Sequence, residues 1–594
     1  MTYLPWDLQF QLETHGLELA DRFDPASGRY ELTLHNPGSQ EVRLDTVRLS
    51  ARIDLPAVSG YAWLQGRVMN DDALCRIFGD ELEEGYSNHY LLEDSDKATA
   101  YRSAEWLGLS VPARAFSAFI LGSLDGTKYT TDISVYLDGD EDTVESIAVT
   151  FVLEGESLPA GGELELPPLY LAEGTDLYEL ACNYADACAT LHGARVLANV
   201  PTGWCSWYSL YRDVTEEAVL ANIEALAQWP VRVDVVQVDD GYQSATGDWL
   251  TPAPSFPSGM AALAGHITKA GFRPGIWLAP FVMHESSAVL RHNPEFALKT
   301  PAGEPLMLDT WLGRCAVLDC SHEPAREWLR ETVRTIVHEW GYTYLKLDAL
   351  VYALQHRGAV AYRDPSLTAA SHLRLGLQVI REAAGDDAYL LGCTSPFAPA
   401  LGLVDAMRTG PDVKAEWGDR PSPGVRHAMR MALQRNVYHR RWWLNDPDCM
   451  LARDSDTQLT GPERRFLATA IALSGGPVFS GDDARTLAAG PRRLLEAILP
   501  PSGIAAEPLD MGDDGPAPSA WRVDLGEGHL LIGILNWTDE EDWVHPDDLL
   551  EPGEIAFDAW NGRLLHGGDI HLQPHDAALL QVAPAPRHLS HRRW

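Results

Sequence analysis

The middle of the chain, from about residue 200 to 490, alternates short apolar runs with amphipathic helical segments. Such alternation indicates βαβ units and a parallel sheet. Eight units in about 290 residues match the size of a (β/α)8 TIM barrel. An open, doubly wound sheet is the alternative, but no glycine-rich phosphate turn follows the first strand. The eight predicted strands are Gly203–Tyr208, Val233–Asp239, Arg273–Ala279, Tyr342–Asp348, Tyr389–Thr394, Ala406–Gly410, Trp442–Asp446 and Gly476–Gly481.

The segments on either side of this region show a different pattern. From residue 1 to about 180, short alternating runs are separated by Gly, Pro, Asn and Asp, which indicates an all-β sandwich. From about residue 505 the alternation returns with the hairpin signal Asn561-Gly562, which indicates a smaller β-sandwich. The sequence therefore predicts an N-terminal β-sandwich over residues 1–180, a catalytic barrel over 181–500 and a C-terminal β-sandwich over 501–594.

The charge of the chain limits its partners. It has 46 Lys and Arg residues against 85 Asp and Glu residues, a formal net charge of −39. Such a field repels a phosphate backbone and an anionic membrane surface, so we expect neither nucleic acid nor a membrane as a partner. No apolar run reaches the roughly 18 residues that a membrane helix needs, and the N-terminus shows no secretory pattern.

The eight cysteines show no CxxC pair and no zinc-like spacing. This pattern indicates reduced thiols in a cytoplasmic protein. A Cys315–Cys320 bridge is the less favoured alternative.

The fourth predicted strand carries two opposite charges. Lys346 and Asp348 stand two residues apart in the apolar stretch Tyr344–Leu350, and residues two apart on a strand point to the same side. Moving a charge out of water is costly unless the charge is paired. For this strand taken alone, an ion pair that only satisfies itself is the simplest interpretation.

Polar residues recur where the predicted strands end, and this position changes the interpretation. In a (β/α)8 barrel, catalytic groups lie at the carboxyl ends of the strands, whereas the interior is packed with apolar layers. Two carboxylates that flank a bond, with aromatic side chains and no phosphate loop, suit glycoside cleavage. The residues at these strand ends are Asp239, Asp240, Trp277, Lys346, Asp348, Arg408, Asp412, Asp446 and Asp448.

A metal-dependent reaction is the less favoured alternative. Asp239, Asp240, Asp446 and Asp448 offer the oxygen ligands that Mg²⁺ or Mn²⁺ takes. No histidine lies at a strand end, however, and a lysine and an arginine already supply positive charge there. We therefore expect no metal site.

A series of motifs in register resembles the family 36 α-galactosidases, most closely the compact bacterial ones. The resemblance covers about residues 200 to 450 and implies a central (β/α)8 barrel flanked by two β-sandwiches. The motifs are Gly203-Trp204-Cys205-Ser206-Trp207-Tyr208, Gln237-Val238-Asp239-Asp240-Gly241-Tyr242, Gly247-Asp248-Trp249-Leu250, Gly275-Ile276-Trp277-Leu278-Ala279-Pro280-Phe281, Lys346-Leu347-Asp348, Leu391-Gly392-Cys393, Met407-Arg408-Thr409-Gly410-Pro411-Asp412 and Trp443-Leu444-Asn445-Asp446-Pro447-Asp448-Cys449.

The resemblance implies a retaining α-galactosidase that acts on oligosaccharides such as melibiose and raffinose without a metal or organic cofactor. Asp348 would be the nucleophile that forms a covalent β-galactosyl intermediate, and Asp412 the general acid/base. A raffinose-synthase-like galactosyl transferase, an α-N-acetylgalactosaminidase and a non-catalytic sugar-binding protein are the alternatives. The implied substrate-binding residues are Asp239 and Asp240 at the C4 and C6 hydroxyls, Lys346 and Arg408 as cations, Trp277 and Trp204 as aromatic contacts, and Cys393 near C2.

Three local expectations follow. Lys346 should favour the charged form of Asp348. Arg408 should face the sugar and not Asp412, because an ion pair would oppose the acid role. Thr394 stands where the family often has glycine, close to the C2 substituent, and a 2-acetamido sugar would need more space there, which favours plain galactose.

Overall fold

The structure is a computed structural model. The residues that it describes are 4–14, 16–56, 61–67, 89–91, 100–110, 117–138, 143–418, 423–510, 517–546, 549–565 and 569–585.

The eight predicted barrel strands are all present, each shorter than the apolar run that predicted it. They are β1 (Thr202–Cys205), β2 (Val235–Val238), β3 (Arg273–Leu278), β4 (Tyr344–Leu347), β5 (Tyr389–Gly392), β6 (Ala406–Arg408), β7 (Leu444–Asp446) and β8 (Val478–Ser480). The sheet order is β7-β6-β5-β4-β3-β2-β1-β8, and β1 pairs in parallel with both β2 and β8. Met450, just beyond β7, forms a parallel bridge with Ser480 of β8, so the two ends of the sheet meet. The predicted (β/α)8 barrel is confirmed.

The helices begin where the sequence supplies capping groups. Thr460 accepts a hydrogen bond from the backbone N of Glu463, whose side chain accepts one from the backbone N of Thr460, and this capping box starts Gly461–Ser474. Thr215 caps Glu216–Leu226 by accepting a hydrogen bond from the backbone N of Ala218. The remaining α-helices are Leu177–His192, Trp207–Leu210, Met260–Lys269, Ala288–His292, Glu323–Arg334, Ala369–Ala384, Phe397–Ala400, Val425–Gln434 and Ala489–Ala497.

The loop after β3 contains a small antiparallel sheet that the sequence analysis did not predict. Its strands are Val282–His284, Met307–Thr310 and Gly313–Val317, with the last in the middle. The apolar residues in this segment are irregularly spaced, so period-two alternation gives only a weak signal.

The N-terminal β-sandwich is confirmed. Leu34 and Leu121 from one sheet pack in a common core with Leu49 and Phe151 from the other. One sheet comprises Gln11–Leu12, Val42–Pro56, Thr143–Leu158, Thr130–Asp138 and Ala100–Ala104, and the other comprises Glu163–Glu165, Arg29–His35, Leu169–Gly174, Ala118–Ser123, Trp106–Ser110, Tyr61–Leu64 and His89–Leu91, with Glu18–Asp24 paired to Arg29–His35.

The C-terminal β region is also confirmed. The hairpin predicted at Asn561-Gly562 joins Glu554–Asp558 to Arg563–Leu564. Ile534, Leu572 and Leu580 lie in its core. Its six-stranded sheet comprises Glu507–Pro508, Ala520–Gly526, His529–Leu535, Ala577–Pro584, Glu554–Asp558 and Arg563–Leu564, and a two-stranded sheet comprises Asp542–Val544 and Ile570–Leu572.

The chain divides into two compact units that do not follow the predicted domain boundaries. The first consists of Met1–Arg195, Gln243–Pro254 and Trp277–Asp405, and the second of Val196–Tyr242, Ser255–Ile276 and Ala406–Trp594. The division into three domains at residues 180 and 500 therefore stays a prediction.

Two further expectations can be compared with the described residues. Within these residues, no helix has both the length and the apolar character needed to cross a bilayer. Cys315 and Cys320 are both free thiols, so the alternative of a bridge between them is wrong. Cys75 lies outside the described residues.

Two glycines at helix-interior positions provide a matched test of the packing. A Cβ on Gly376 would lie 2.4 Å from a ring carbon of Phe281, whereas a Cβ on Gly265 would meet nothing within 4 Å. We expect Gly376→Ala to lower the free energy of unfolding by about 1–3 kcal/mol because the core is overpacked. Gly265→Ala should raise it by roughly 0.5–1 kcal/mol through helix propensity. Denaturant unfolding of both variants checks this, and equal shifts would contradict the packing described here.

Candidate active site

Asp348 directly follows β4 and is held by donors from three other positions. Its Oδ1 accepts hydrogen bonds from the backbone N of Ala349 at 2.7 Å and from Oγ1 of Thr394 at 2.8 Å. Its Oδ2 accepts one from Nε1 of Trp277 at 3.0 Å. The structure therefore brings together the predicted nucleophile and the predicted aromatic residue Trp277.

These contacts determine the ionisation of Asp348. Burial disfavours the charged form and is the largest effect, but the positive charge of Lys346 and the hydrogen bonds from Trp277, Thr394 and Ala349 act against it. The net result is that the pKa of Asp348 lies below its usual value. The expectation that Lys346 favours the charged form is therefore confirmed. Asp348 is prepared to act as an anion.

Thr394 is a functional candidate whose role the sequence did not reveal. Its backbone lies in the left-handed region, with φ of 46°, where glycine is favoured. This conformation explains why a glycine was expected at this position, and the hydroxyl of Thr394 donates to the candidate nucleophile. A threonine where glycine would be strain-free was the signal that could have drawn attention to it.

Asp239 and Asp240 follow β2 and are both almost completely buried. Oδ2 of Asp239 accepts a hydrogen bond from Nε2 of Gln237 at 2.7 Å, and Oδ1 accepts one from the backbone N of Asp240 at 2.9 Å. Nε of Arg212 donates to Oδ2 of Asp240 at 2.8 Å. Neither Gln237 nor Arg212 was assigned a role from the sequence. These partners fix both carboxylates as oriented acceptors.

Arg408 and Asp412 are in direct contact. Nη2 of Arg408 lies 2.6 Å from Oδ1 of Asp412 and 2.6 Å from Oδ2 of Asp448. The expectation that Arg408 faces away from Asp412 is therefore wrong. The turn Gly410-Pro411 brings the chain back towards the end of β6, so a separation of four residues does not separate the two side chains.

Asp448 is the second partner of this guanidinium and completes a buried network. Its Oδ2 also accepts hydrogen bonds from the backbone N of Val413 at 3.0 Å and from the hydroxyl of Tyr208. Burial raises the pKa of Tyr208 well above its usual value, and the charges of Asp412 and Asp448 add to this effect. Tyr208 is therefore a permanent donor. By contrast, the side chain of Asp412 is 41% exposed.

The remaining predicted residues have other surroundings. Trp204 is fully buried, and its Nε1 donates to the backbone O of Asp482 at 2.7 Å, so its N–H group is hydrogen-bonded within the protein. Cys393 is a buried thiol whose backbone N donates to the O of Leu347. The sugar-binding roles of Trp204, Cys393, Lys346 and Arg408 stay predictions.

The described residues can also be searched for metal ligands. Within them, no group of three or more His, Cys, Asp or Glu side chains is arranged to hold a metal ion. The carboxylates that the metal hypothesis invoked, such as Asp239 and Asp448, instead accept hydrogen bonds from the protein.

Comparison with known proteins shows what the chain is similar to. Residues 181–380 match the family model described as Melibiase. The chain is 30% identical to Myogenesis-regulating glycosidase of Mus musculus over 169 residues, 28% of this chain and 24% of that protein. It is 25% identical to Alpha-galactosidase AgaA of Geobacillus stearothermophilus over 150 residues, 24% of this chain and 20% of that protein. The matched segments thus span about a quarter or less of the length of these relatives.

Solved structures extend the similarity to most of the chain. TtGalA, an α-galactosidase from Thermus thermophilus, aligns with a TM-score of 0.60 and 25% identity over 86% of this chain and 98% of that chain. The GH36 α-galactosidase AgaA aligns with a TM-score of 0.63 over 97% of this chain and 88% of that chain; at 13% identity, this likeness concerns the fold. The family model, the relatives and the solved structures agree: the chain is similar to α-galactosidases, and residues 181–380 match the Melibiase family.

Proposed function

We propose that this protein is a retaining α-galactosidase that hydrolyses terminal α-galactosyl residues of oligosaccharides. The observation that carries the proposal is Asp348, a partly buried carboxylate whose pKa is lowered by Lys346 and three hydrogen-bond donors. The solved relative TtGalA is described in complexes with p-nitrophenyl α-D-galactopyranoside and with stachyose. These ligands support galactosyl oligosaccharides such as melibiose and raffinose as the substrate class.

The first step that we propose uses Asp348 as the nucleophile. Oδ1 accepts two hydrogen bonds and Oδ2 accepts one, so Oδ2 has more lone-pair capacity for attack. Oδ2 bonds to C1 of the galactosyl unit while the bond from C1 to the leaving oxygen breaks, which gives a β-galactosyl ester. Asp412 gives its proton to the leaving oxygen. Each aspartate follows the carboxyl end of a barrel strand, which is where barrel enzymes carry their catalytic groups.

The second step reverses these proton movements. A water molecule attacks C1, Asp412 takes its proton, and the ester bond to Asp348 breaks, so α-galactose is released with its configuration retained. Esterification removes the negative charge of Asp348, which favours ionised Asp412 at the stage where a base is needed.

The contact between Arg408 and Asp412 requires an explanation, because the first step needs a protonated acid. Nη2 of Arg408 is shared between Asp412 and Asp448, and Asp448 is almost completely buried. The charge of Asp448 offsets that of Arg408 and weakens the ion pair between Arg408 and Asp412. The 41% exposure of the Asp412 side chain weakens the ion pair further through solvent screening.

Asp239 and Asp240 suit recognition of the galactosyl unit. Their carboxylates are buried and oriented by protein donors, and acceptors in fixed positions favour a sugar that places its hydroxyls against them over an epimer that does not. We propose that they bind the C4 and C6 hydroxyls. The hydroxyl of Thr394 is hydrogen-bonded to Asp348, so this side chain stays in place close to the expected C2 substituent. This supports plain galactose over the larger 2-acetamido sugar. The seven described cysteines are free thiols, which supports a cytoplasmic location.

The nucleophile assignment can be tested by chemical rescue. Asp348→Gly should abolish hydrolysis of p-nitrophenyl α-galactoside because no group attacks C1. Azide should restore release of p-nitrophenol and give β-galactosyl azide, since it enters from the vacated β face. Product configuration is measured by NMR. Azide with Asp412→Ala, where the ester still forms, should give the α-azide instead. An α-azide from Asp348→Gly would exclude the assignment.

The acid role of Asp412 predicts a dependence on the leaving group. Asp412→Ala should lower kcat/KM for raffinose by roughly 10²–10⁴-fold, because the leaving sugar needs a proton. The kcat/KM for α-galactosyl fluoride should fall far less, since fluoride leaves without a full proton transfer. Equal losses on the two substrates would show that Asp412 is not the acid.

Thr394 should set the acidic limit of activity. Asp348 must be ionised to attack, so kcat/KM falls as the pH drops through its lowered pKa. Thr394→Val removes one donor to the carboxylate, which raises the pKa of Asp348. The acidic limb of the pH profile of kcat/KM should therefore shift to higher pH. A shift of about one pH unit is expected, because a hydrogen bond to a charged group contributes roughly 1.5–3 kcal/mol. Thr394→Ser keeps the hydroxyl and should leave the limb in place; an unshifted profile for the Val variant would contradict the role.

A further inference from the structure

Trp311 is an exposed aromatic residue at the turn of the hairpin formed by Met307–Thr310 and Gly313–Val317. Half of its surface is exposed to solvent. Its ring lies 5.4 Å from the ring of Tyr352, centroid to centroid, with an angle of 41° between the two planes. The two side chains therefore present a continuous aromatic surface.

The turn that carries Trp311 is firmly held. Oγ1 of Thr310 donates to the O of Gly313 at 2.8 Å and accepts from the backbone N of Leu312 at 3.0 Å. Leu312, the next residue, is buried, and Gly313 packs so closely on His284 that a Cβ would lie 2.7 Å from its Nε2. The exposure of Trp311 is therefore a property of an ordered hairpin and not of a frayed end.

Tyr352 connects this surface to the candidate nucleophile. It belongs to the 3₁₀ turn Leu350–Ala353, which begins two residues after Asp348, and the backbone N of Val351 donates to the O of Thr394 at 2.8 Å. Burial raises the pKa of Tyr352 to about 12, and the charges of Cys315 and Asp348 contribute to the shift. The phenol thus lies within electrostatic reach of the carboxylate.

Both residues also lie in loops at the carboxyl ends of barrel strands. The hairpin belongs to the loop after β3, and Tyr352 belongs to the loop after β4. Loops at the carboxyl ends of barrel strands form the substrate site. The apolar C–H face of a sugar ring packs on flat aromatic side chains, and an exposed tryptophan beside a site gains stability when it is covered in this way.

We propose that Trp311 and Tyr352 form the binding platform for the sugar ring that leaves during glycosidic cleavage, the ring attached to the galactosyl unit. The inference rests on the proposed function, since it takes Asp348 as the nucleophile. Its ligand class is the pyranose ring of a neutral oligosaccharide.

The test compares substrates with and without a leaving sugar. Trp311→Ala should lower kcat/KM for raffinose about tenfold, in the range of one lost aromatic contact. The kcat/KM for α-galactosyl fluoride, which has no leaving ring, should change less than about twofold. Trp311→Phe should retain most of the activity on raffinose. Trp543, 60% exposed and stacked on His571 in the C-terminal region, is the matched control, and Trp543→Ala should change neither value.

The other outcomes are distinguishable. An unchanged kcat/KM for raffinose in Trp311→Ala would overturn the platform. Equal losses on raffinose and α-galactosyl fluoride would also overturn it, because Trp311 would then support the nucleophile or the fold and not the leaving ring. Failure of the unaltered enzyme to hydrolyse any α-galactoside would instead reject the proposed function, on which the platform depends.

Discussion

A carboxylate that loses part of its hydration is stable as an anion only if protein groups replace the lost water, and Asp348 meets this condition at the end of β4. Each donor comes from a different element: Trp277 from β3, Thr394 from beyond β5, and Ala349 from the chain just after Asp348 itself. Lys346 adds a positive charge from the same strand. The negative charge of Asp348 is therefore stabilised only when three neighbouring strands are in register. Its ionisation thus depends on the formation of the barrel.

This arrangement requires strained backbone. Ala349 has φ of 59° and Thr394 has φ of 46°, so both non-glycine residues lie in the left-handed region. Asp448, which anchors Arg408, has φ of 81°. Each such conformation costs roughly 1–3 kcal/mol and persists only where the surrounding structure fixes it. All three residues contact a candidate catalytic aspartate or its arginine, so the strain is concentrated where side chains must be aimed.

The fold could be predicted well from the sequence because apolar residues that become buried recur in a regular pattern along the chain. All eight strands, such as Val235–Val238, lie within the apolar runs or begin one residue before them, and the principal helices carry caps such as Thr460. The ends of the strands were predicted up to three residues too long, since polar residues such as Asp239 follow a strand without an intervening break. The hairpin that carries Trp311 was missed because its residues lack a regular alternation.

The site was less predictable because side-chain contacts depend on turns. Lys346 and Asp348 are two residues apart on one strand, so their side chains could be predicted to lie on the same side. The lowering of the Asp348 pKa by the charge of Lys346 agrees with this prediction. Arg408 and Asp412 are separated by a Gly-Pro turn, and no periodic rule gives the direction in which such a turn returns. The contacts of Thr394, Arg212 and Tyr208 depend on residues distant in sequence, so residue type alone did not indicate them.

The two proposed catalytic aspartates have different surroundings. Asp348 is partly buried, has three donors and a lysine nearby, and its pKa lies below the usual value. The side chain of Asp412 is 41% exposed, and it shares one guanidinium nitrogen of Arg408 with Asp448. A nucleophile must be ionised, so the surroundings of Asp348 support the role proposed for it. The guanidinium of Arg408 is divided between two carboxylates, and Asp448, the more deeply buried of the two, anchors it at the end of β6.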